Sequence, residues 1–169
     1  QREGARTLFG TVVRNISIGN ETVVTTANGE FRAGLVIAAD GPQSKIAGQA
    51  GLGRLKNSFA FQYELDGAHE MPQTLQILIC HQFGFDVHCW IFPKRNSINI
   101  GVSSGRLYGL RRKLDELVGL VGLSGRKILE VNAGLLPGRN KLKRIYSDRL
   151  LVVGDAAGHT NPFSGGGIA

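Results

Sequence analysis

Two short segments carry the residue types that could do chemistry in this 169-residue chain. Val36-Ile-Ala-Ala-Asp40-Gly41 and Leu151-Val-Val-Gly154-Asp155-Ala156 each run an apolar strand into a carboxylate beside glycine. A carboxylate at a strand end accepts hydrogen bonds from ligand hydroxyls. The bare N–H groups of small residues receive phosphate or carbonyl oxygens. Either Asp alone reads as well as a turn former or a helix N-cap. Two of them, the second followed by Asn161-Pro162 and Gly165-Gly166-Gly167, favour a ligand site. In an open α/β sheet such a site lies beyond the carboxyl ends of the strands.

A second group of residues suits an apolar ligand. Read as a strand, 85–92 puts His88, Trp90 and Phe92 on one face and Val87, Cys89 and Ile91 on the other. An aromatic stripe on one side of a sheet can wall an apolar tunnel; the plainer reading is that it packs on a helix. Other combinations are decoys. Cys80-His81 and His88-Cys89 look like a mirrored zinc site, but neighbouring strand residues point to opposite faces, so four ligands cannot converge, and no metal is expected. Gly101-Val-Ser103-Ser-Gly105 matches a hydrolase nucleophile elbow, with Asp155 and His159 following in order. Its strand, however, reads as antiparallel, and an elbow needs a central parallel one. His159 itself reads as a solvent-facing loop residue. Arg139, Lys141, Lys143 and Arg144 read as a solvated basic loop, with lipid phosphate as the alternative partner.

The elements that must position these groups are set by periodicity. Residues 7–18 and 21–26 read as strands. Asn28-Gly29 is a hairpin signal leading to a third strand that includes Leu35–Ala39, which looks buried on both faces and paired in a parallel sheet. Ser44 would cap a short helix at 45–51. Runs at 57–65, 73–80, 85–92 and 97–103 suggest an antiparallel meander. Residues 107–121 have helical spacing, 124–133 also reads as helical, 135–138 as a turn or short strand, and 150–153 as a buried strand. No G-x-G-x-x-G is present.

The chain is globular in composition, 42% hydrophobic and 20% charged, with 24 glycines at strand ends and turns that suit a cofactor-binding α/β protein. The net charge of +7 favours anionic partners, but no nucleic-acid-binding signature accompanies it, so no nucleic acid is expected. Two cysteines make no disulfide framework and point to a reducing, cytoplasmic location. No apolar run nears the roughly 18 residues of a membrane span. The chain opens on Gln1 and its last motif stops mid-element, so an internal piece of a longer protein is expected.

The paired motifs resemble the DG and GD fingerprints of the flavoprotein monooxygenase/reductase superfamily, which binds FAD. Cys89-Trp90-Ile91-Phe92-Pro93-Lys94 with Asn99-Ile-Gly-Val102 resembles the W-x-F-P-K…N-x-G-V block of the geranylgeranyl reductase family. Leu136-Pro137-Gly138, Tyr146 to Asp155, and Asn161-Pro162-x-x-Gly165-Gly-Gly-Ile168 are similar to further segments of that family, in the same order.

The resemblance implies an α/β fold: an incomplete FAD-binding domain of the glutathione-reductase-like Rossmann type, interrupted by an antiparallel substrate sheet. Residues 1–54 and 139–169 would belong to the first and 55–138 to the second. Asp155 would accept a ribityl hydroxyl. Gly154, Ala156, Pro162, Gly165, Gly166, Gly167 and Ile168 would line the flavin, and Asp40 and Gly41 the pyrophosphate side. His88, Trp90, Phe92 and Pro93 would line the substrate cavity; His88 stands where the family usually has Tyr. No catalytic residue is singled out. NAD(P)H or another donor would supply electrons, and an isoprenoid lipid or pigment precursor would receive them, with peripheral membrane contact and oligomeric state left open. The resemblance also implies that the fragment alone binds FAD weakly or not at all, and that it is inactive. The rival readings are a flavin-dependent monooxygenase, a flavoprotein–quinone oxidoreductase, and a non-catalytic lipid-binding module.

Overall fold

The computed structural model describes residues 4–67, 74–84, 86–138, 140–161 and 167. They divide between a unit of Gln1–Leu55 with Asn140–Thr160 and a unit of Lys56–Arg139 with Asn161–Ala169. The architecture is α/β, with antiparallel sheets and one parallel strand pair.

In the first unit, β1 (Val13–Ile18), β2 (Thr22–Thr26) and β3 (Gly29–Ala33) form an antiparallel sheet in that order. The expected strand over 7–18 is shorter: Leu8, Phe9 and Val12 are exposed and lie outside it. The hairpin forms one residue earlier than Asn28-Gly29 predicts. Thr26 pairs with Gly29, and Ala27-Asn28 make the turn. The Thr26 hydroxyl decides this, accepting the Asn28 N–H at 3.1 Å and donating to the Gly29 carbonyl at 2.8 Å.

The expected third strand is two strands in two sheets. The break falls at Gly34-Leu35, after which β4 (Val36–Ala38) pairs with β11 (Leu150–Val152), itself flanked by β10 (Tyr146–Ser147). The β4–β11 pairing is parallel, as the apolar run predicts. Burial on both faces is not observed: Ala38 is buried in the core, but Ile37, on the opposite face, is 59% exposed. Helix α1 (Lys45–Gln49) starts at Ser44 as expected and ends sooner. Its Gln49 continues the ladder of β1, accepting the Ile16 N–H and donating to the Arg14 carbonyl. Ile16, Ala38, Ile46, Ala47, Leu150 and Val152 form this unit's core.

The second unit is one five-stranded antiparallel sheet with a helix on one face. Its strands are β5 (Asn57–Asp66), β6 (Gln76–Leu78), β7 (His88–Pro93), β8 (Ser97–Ser104) and β9 (Ile128–Pro137), in the order β6-β7-β8-β5-β9. It is not the simple meander expected, since β5 lies between β8 and β9. The expected helix over 124–133 is overturned: Ile128–Pro137 is a ten-residue strand along β5. Its apolar residues have no helical surface to cover, whereas β5 offers an open ladder of backbone groups that must be paired. Residues 68–73, at the start of the expected 73–80 strand, and Phe85 lie outside the described residues.

Helix α2 (Leu110–Leu120) buries Leu110, Leu114 and Leu117, the i, i+4, i+7 stripe, against Ile98, Ile100 and Val102 of β8 and Tyr63 and Leu65 of β5. Leu107, expected on that stripe, is 64% exposed because the helix begins after it. Leu114 has no exposed surface. Leu114→Ala should cost about 2–5 kcal/mol, read from the urea midpoint at unchanged slope. A loss below about 1 kcal/mol would contradict this core.

Candidate functional site

The two acidic strand ends meet. Strands β4 and β11 run side by side in parallel, with Val36, Ile37 and Ala38 opposite Leu150, Leu151 and Val152. Val153 extends the ladder, its N–H donating to the Ala38 carbonyl at 3.0 Å. Adjacent strands lie about 4.8 Å apart, so Asp40 and Gly154-Asp155 emerge at one level on one sheet edge.

The two carboxylates have different surroundings. Asp40 Oδ1 accepts the Ser44 hydroxyl at 2.6 Å, and Oδ2 accepts the N–H groups of Lys45 and Ile46 at 2.9 and 3.3 Å. The Ser44 hydroxyl in turn accepts the Ala47 N–H at 3.0 Å. Asp40 therefore holds the first turn of α1 and fixes the path of Gly41, whose φ is +81°. Asp155 is half-buried, and among the described residues its carboxylate makes no hydrogen bond or ion pair.

Asp155 sits on a 3-10 turn, Gly154–Ala157, whose small residues are packed beneath it: Ala156 and Ala157 are buried. At Gly154 (φ +59°) an added Cβ would meet nothing within 4 Å, so glycine there serves the backbone conformation. At Gly158 (φ +75°) a Cβ would lie 2.9 Å from the Asn140 carbonyl oxygen, because the loop after Asn140 packs on this turn. Of the other expected cofactor residues, Gly167 is exposed, and Pro162, Gly165, Gly166 and Ile168 lie outside the described residues.

In the second unit, the alternation along β7 is as expected. Val87, Cys89 and Ile91 enter the core under α2, while His88, Trp90 and Phe92 stand half-buried on the opposite face. The stripe does not pack on α2. The Trp90 and Phe92 rings stack with centroids 6.4 Å apart. Cross-strand partners extend this face: Ile77 and Gly101 beside Trp90, Asn99 beside Phe92, Ser103 beside His88, and Gln62 and Glu64 beyond on β5. The face is apolar on β6 and β7 and polar on β8 and β5.

Glu64 and Ser97, outside the motifs, and Asn99 and Lys94, within them but given no role there, hold this face together. Trp90 Nε1–H donates to Asn99 Oδ1 at 2.8 Å, and Asn99 Nδ2 donates to Glu64 at 3.5 Å. Lys94 Nζ lies 2.8 Å from Glu64, and the Ser97 hydroxyl also donates to it. Burial pushes the Glu64 carboxyl up, but the hydrogen bonds from Lys94 and Ser97 and the Lys94 charge outweigh it, so its pKa is lowered. The signal available in sequence was register: Asn99 and Gly101 alternate toward the face that Trp90 occupies.

The decoys resolve in three dimensions. His88 and Cys89 point to opposite faces. Burial, and then the neighbouring Cys80 thiol, push Cys89 up to about 12. Ser103 is buried inside a strand with antiparallel neighbours on both sides and sits on no elbow. His159 is exposed, as expected. Among the described residues no helix is long and apolar enough to cross a membrane.

These environments set distinct expectations for the acids. Asp40→Ala should cost about 1 kcal/mol of stability through the lost cap, while Asp155→Ala should change it by under about 0.5 kcal/mol; denaturant titration separates them, and equal losses would contradict the contrast. Because the folded-state pKa of Glu64 is lowered, its contribution is complete above the ordinary value of 4.5 and is lost as pH falls through the folded value. Glu64→Gln should therefore lower Tm at neutral pH, with the difference from wild type closing in acid; a constant difference across the pH series would count against this pairing.

No protein-family model matches the chain. It is 38% identical over 155 residues to digeranylgeranylglycerophospholipid reductase 2 of Methanothermobacter thermautotrophicus, covering 82% of this chain and 38% of that protein. It is 39% identical over 150 residues to digeranylgeranylglycerophospholipid reductase 1 of Methanopyrus kandleri, covering 82% and 40%. The chain thus spans about two fifths of the length of the curated relatives it matches. Its fold matches a geranylgeranyl bacteriochlorophyll reductase-like protein of Thermoplasma acidophilum, with TM-score 0.78 and 23% identity over 93% of this chain and 44% of that one. The same fold occurs in a flavin-dependent halogenase of Xanthomonas campestris, with TM-score 0.71 and 12% identity over 92% and 33%. Sequence identity above 30% to named reductases, over four fifths of its length, makes this chain a member of the geranylgeranyl reductase family.

Proposed function

We propose that this chain is part of an FAD-dependent oxidoreductase that saturates isoprenoid double bonds on a lipid or pigment precursor. The observation that carries the cofactor half is the Asp155 carboxylate, without a partner among the described residues, at the carboxyl end of β11 and beside the end of β4. That environment fits FAD. A free carboxylate on a small-residue turn suits a ribityl hydroxyl, and glycines at positive φ keep the backbone open to a close ligand. In this reading Asp155 and Gly154 with Ala156 bind the cofactor. Asp40 acts through α1 to hold Gly41 at the pyrophosphate side, and Pro162 and Gly165 to Ile168 line the flavin ring.

Bound FAD would supply two-electron hydride chemistry, re-reduced by NAD(P)H or another donor. What the chain's own residues would do is bind and orient. Trp90 and Phe92, with His88 and Pro93, offer an isoprenoid chain a flat apolar wall. Gln62, on the polar side of the same face, suits the more polar end of an amphipathic substrate. The finer architecture we propose is a Rossmann-type cofactor domain interrupted by the substrate sheet. Peripheral contact with a membrane is expected for such a substrate. A monooxygenase reading has less support: the relatives above 30% identity are named reductases, whereas likeness to the halogenases lies in fold alone.

The test is the visible spectrum of the parent protein. Asp155→Ala should lower flavin occupancy by about ten-fold or more in a folded protein, as expected for a lost charged hydrogen bond. Unchanged occupancy would remove Asp155 from the site. Mass spectrometry of a geranylgeranylated phospholipid incubated with reduced enzyme should show hydrogenated product; none would reject the substrate class.

A further inference from the structure

The block Trp90-x-Phe92-Pro-Lys94…Asn99-x-Gly101 is one physical device, and its parts meet on one sheet face. Gly101 lies directly opposite Trp90 in the β7–β8 ladder. A Cβ at Gly101 would overlap Cζ2 and Cε2 of the indole and come within 2.9 Å of the Gln62 Cβ. The missing side chain is therefore the space in which the ring lies flat on β8. Gly101 has an ordinary φ, so crowding rather than backbone conformation calls for glycine here. The indole's in-plane orientation is set separately, by the hydrogen bond from Nε1–H to Asn99 Oδ1.

Asn99 suits this position on chemical grounds. It is 8% exposed and must accept from the indole N–H while donating to the Glu64 carboxylate. An amide has one group for each task. Asp would set a second carboxylate against Glu64, and Leu would leave the indole N–H and Glu64 each short of a partner. Glu64 is in turn anchored by Lys94 and Ser97, which flank the β7–β8 turn. A flat, doubly restrained indole loses little conformational entropy when a flexible apolar chain lies on it.

We propose that Asn99 and Gly101 are positioning residues that fix Trp90 as a preorganised platform for the isoprenoid chain, and so set the protein's affinity for prenylated substrate. The substrate part rests on the function proposed above; the positioning part does not.

Trp90 is the single tryptophan of this chain, so its emission reports the platform directly. In Asn99→Leu and Gly101→Ala, with folding checked by circular dichroism, the emission should shift to longer wavelength and acrylamide quenching should rise. In the flavin-loaded parent protein, KM for a geranylgeranylated phospholipid should rise about ten-fold, with kcat within about three-fold and flavin content unchanged. A folded variant with unmoved emission would overturn the positioning, and moved emission with unchanged KM would overturn its link to substrate. If neither variant folds, titration of the wild-type chain with the same lipid decides: the platform requires the Trp90 emission to respond, and no response at saturating lipid overturns it. A wild-type protein that binds flavin but reduces no isoprenoid would reject the proposed function, while the emission of the variants still reports on positioning.

Discussion

The parallel pairing of β4 with β11 is the constraint on which the first unit's acidic strand ends depend. Three residues on each side suffice because the pairing is continued by the Val153 N–H and anchored by Ala38, Leu150 and Val152 in a common core. A parallel pair cannot be closed by a tight turn; it needs a long crossover. Here the crossover contains the whole second sheet and its helix. The pair is therefore where two distant segments become one edge, with Asp40 and Asp155 at its tip.

Two equivalent-looking motifs act differently because the residues after each differ. Beyond Asp40 come Ser44 and a helical turn, whose N–H groups need acceptors, and the carboxylate serves them. Beyond Asp155 come alanines and a glycine that pack downward and bring no side-chain donor. The first acid thus stiffens the start of α1, and the second keeps no hydrogen-bond partner among the described residues.

In the second unit, one sheet separates two kinds of chemistry. Under α2 the strands present Ile98, Ile100, Val102, Cys89 and Ile91, a dry core. On the other face the same strands present an indole, a phenyl ring, an amide and a paired carboxylate. Period-two alternation makes both from one sequence, and it sends His88 and Cys89 of the apparent zinc motif to opposite faces.

Much of this was legible in the chain itself. Alternation in 87–92 gave the aromatic face, the 110–117 leucine spacing gave α2, Ser44 gave the start of α1, and two apolar runs ending in Asp gave a parallel strand pair. The misses have a common cause. The 124–133 segment becomes a strand because β5 needs a partner, the third strand splits because Ala38 is drawn to β11 while Ala33 stays with β2, and β5 leaves the meander for a place between β8 and β9. Each depends on which distant backbone offers unpaired groups, which local pattern does not encode. For the same reason sequence determined that Asp40, Asp155, Trp90 and Gly101 were present, while only tertiary structure decided that one acid caps a helix and the other has no partner among the described residues, and that the glycine is the floor on which the indole lies.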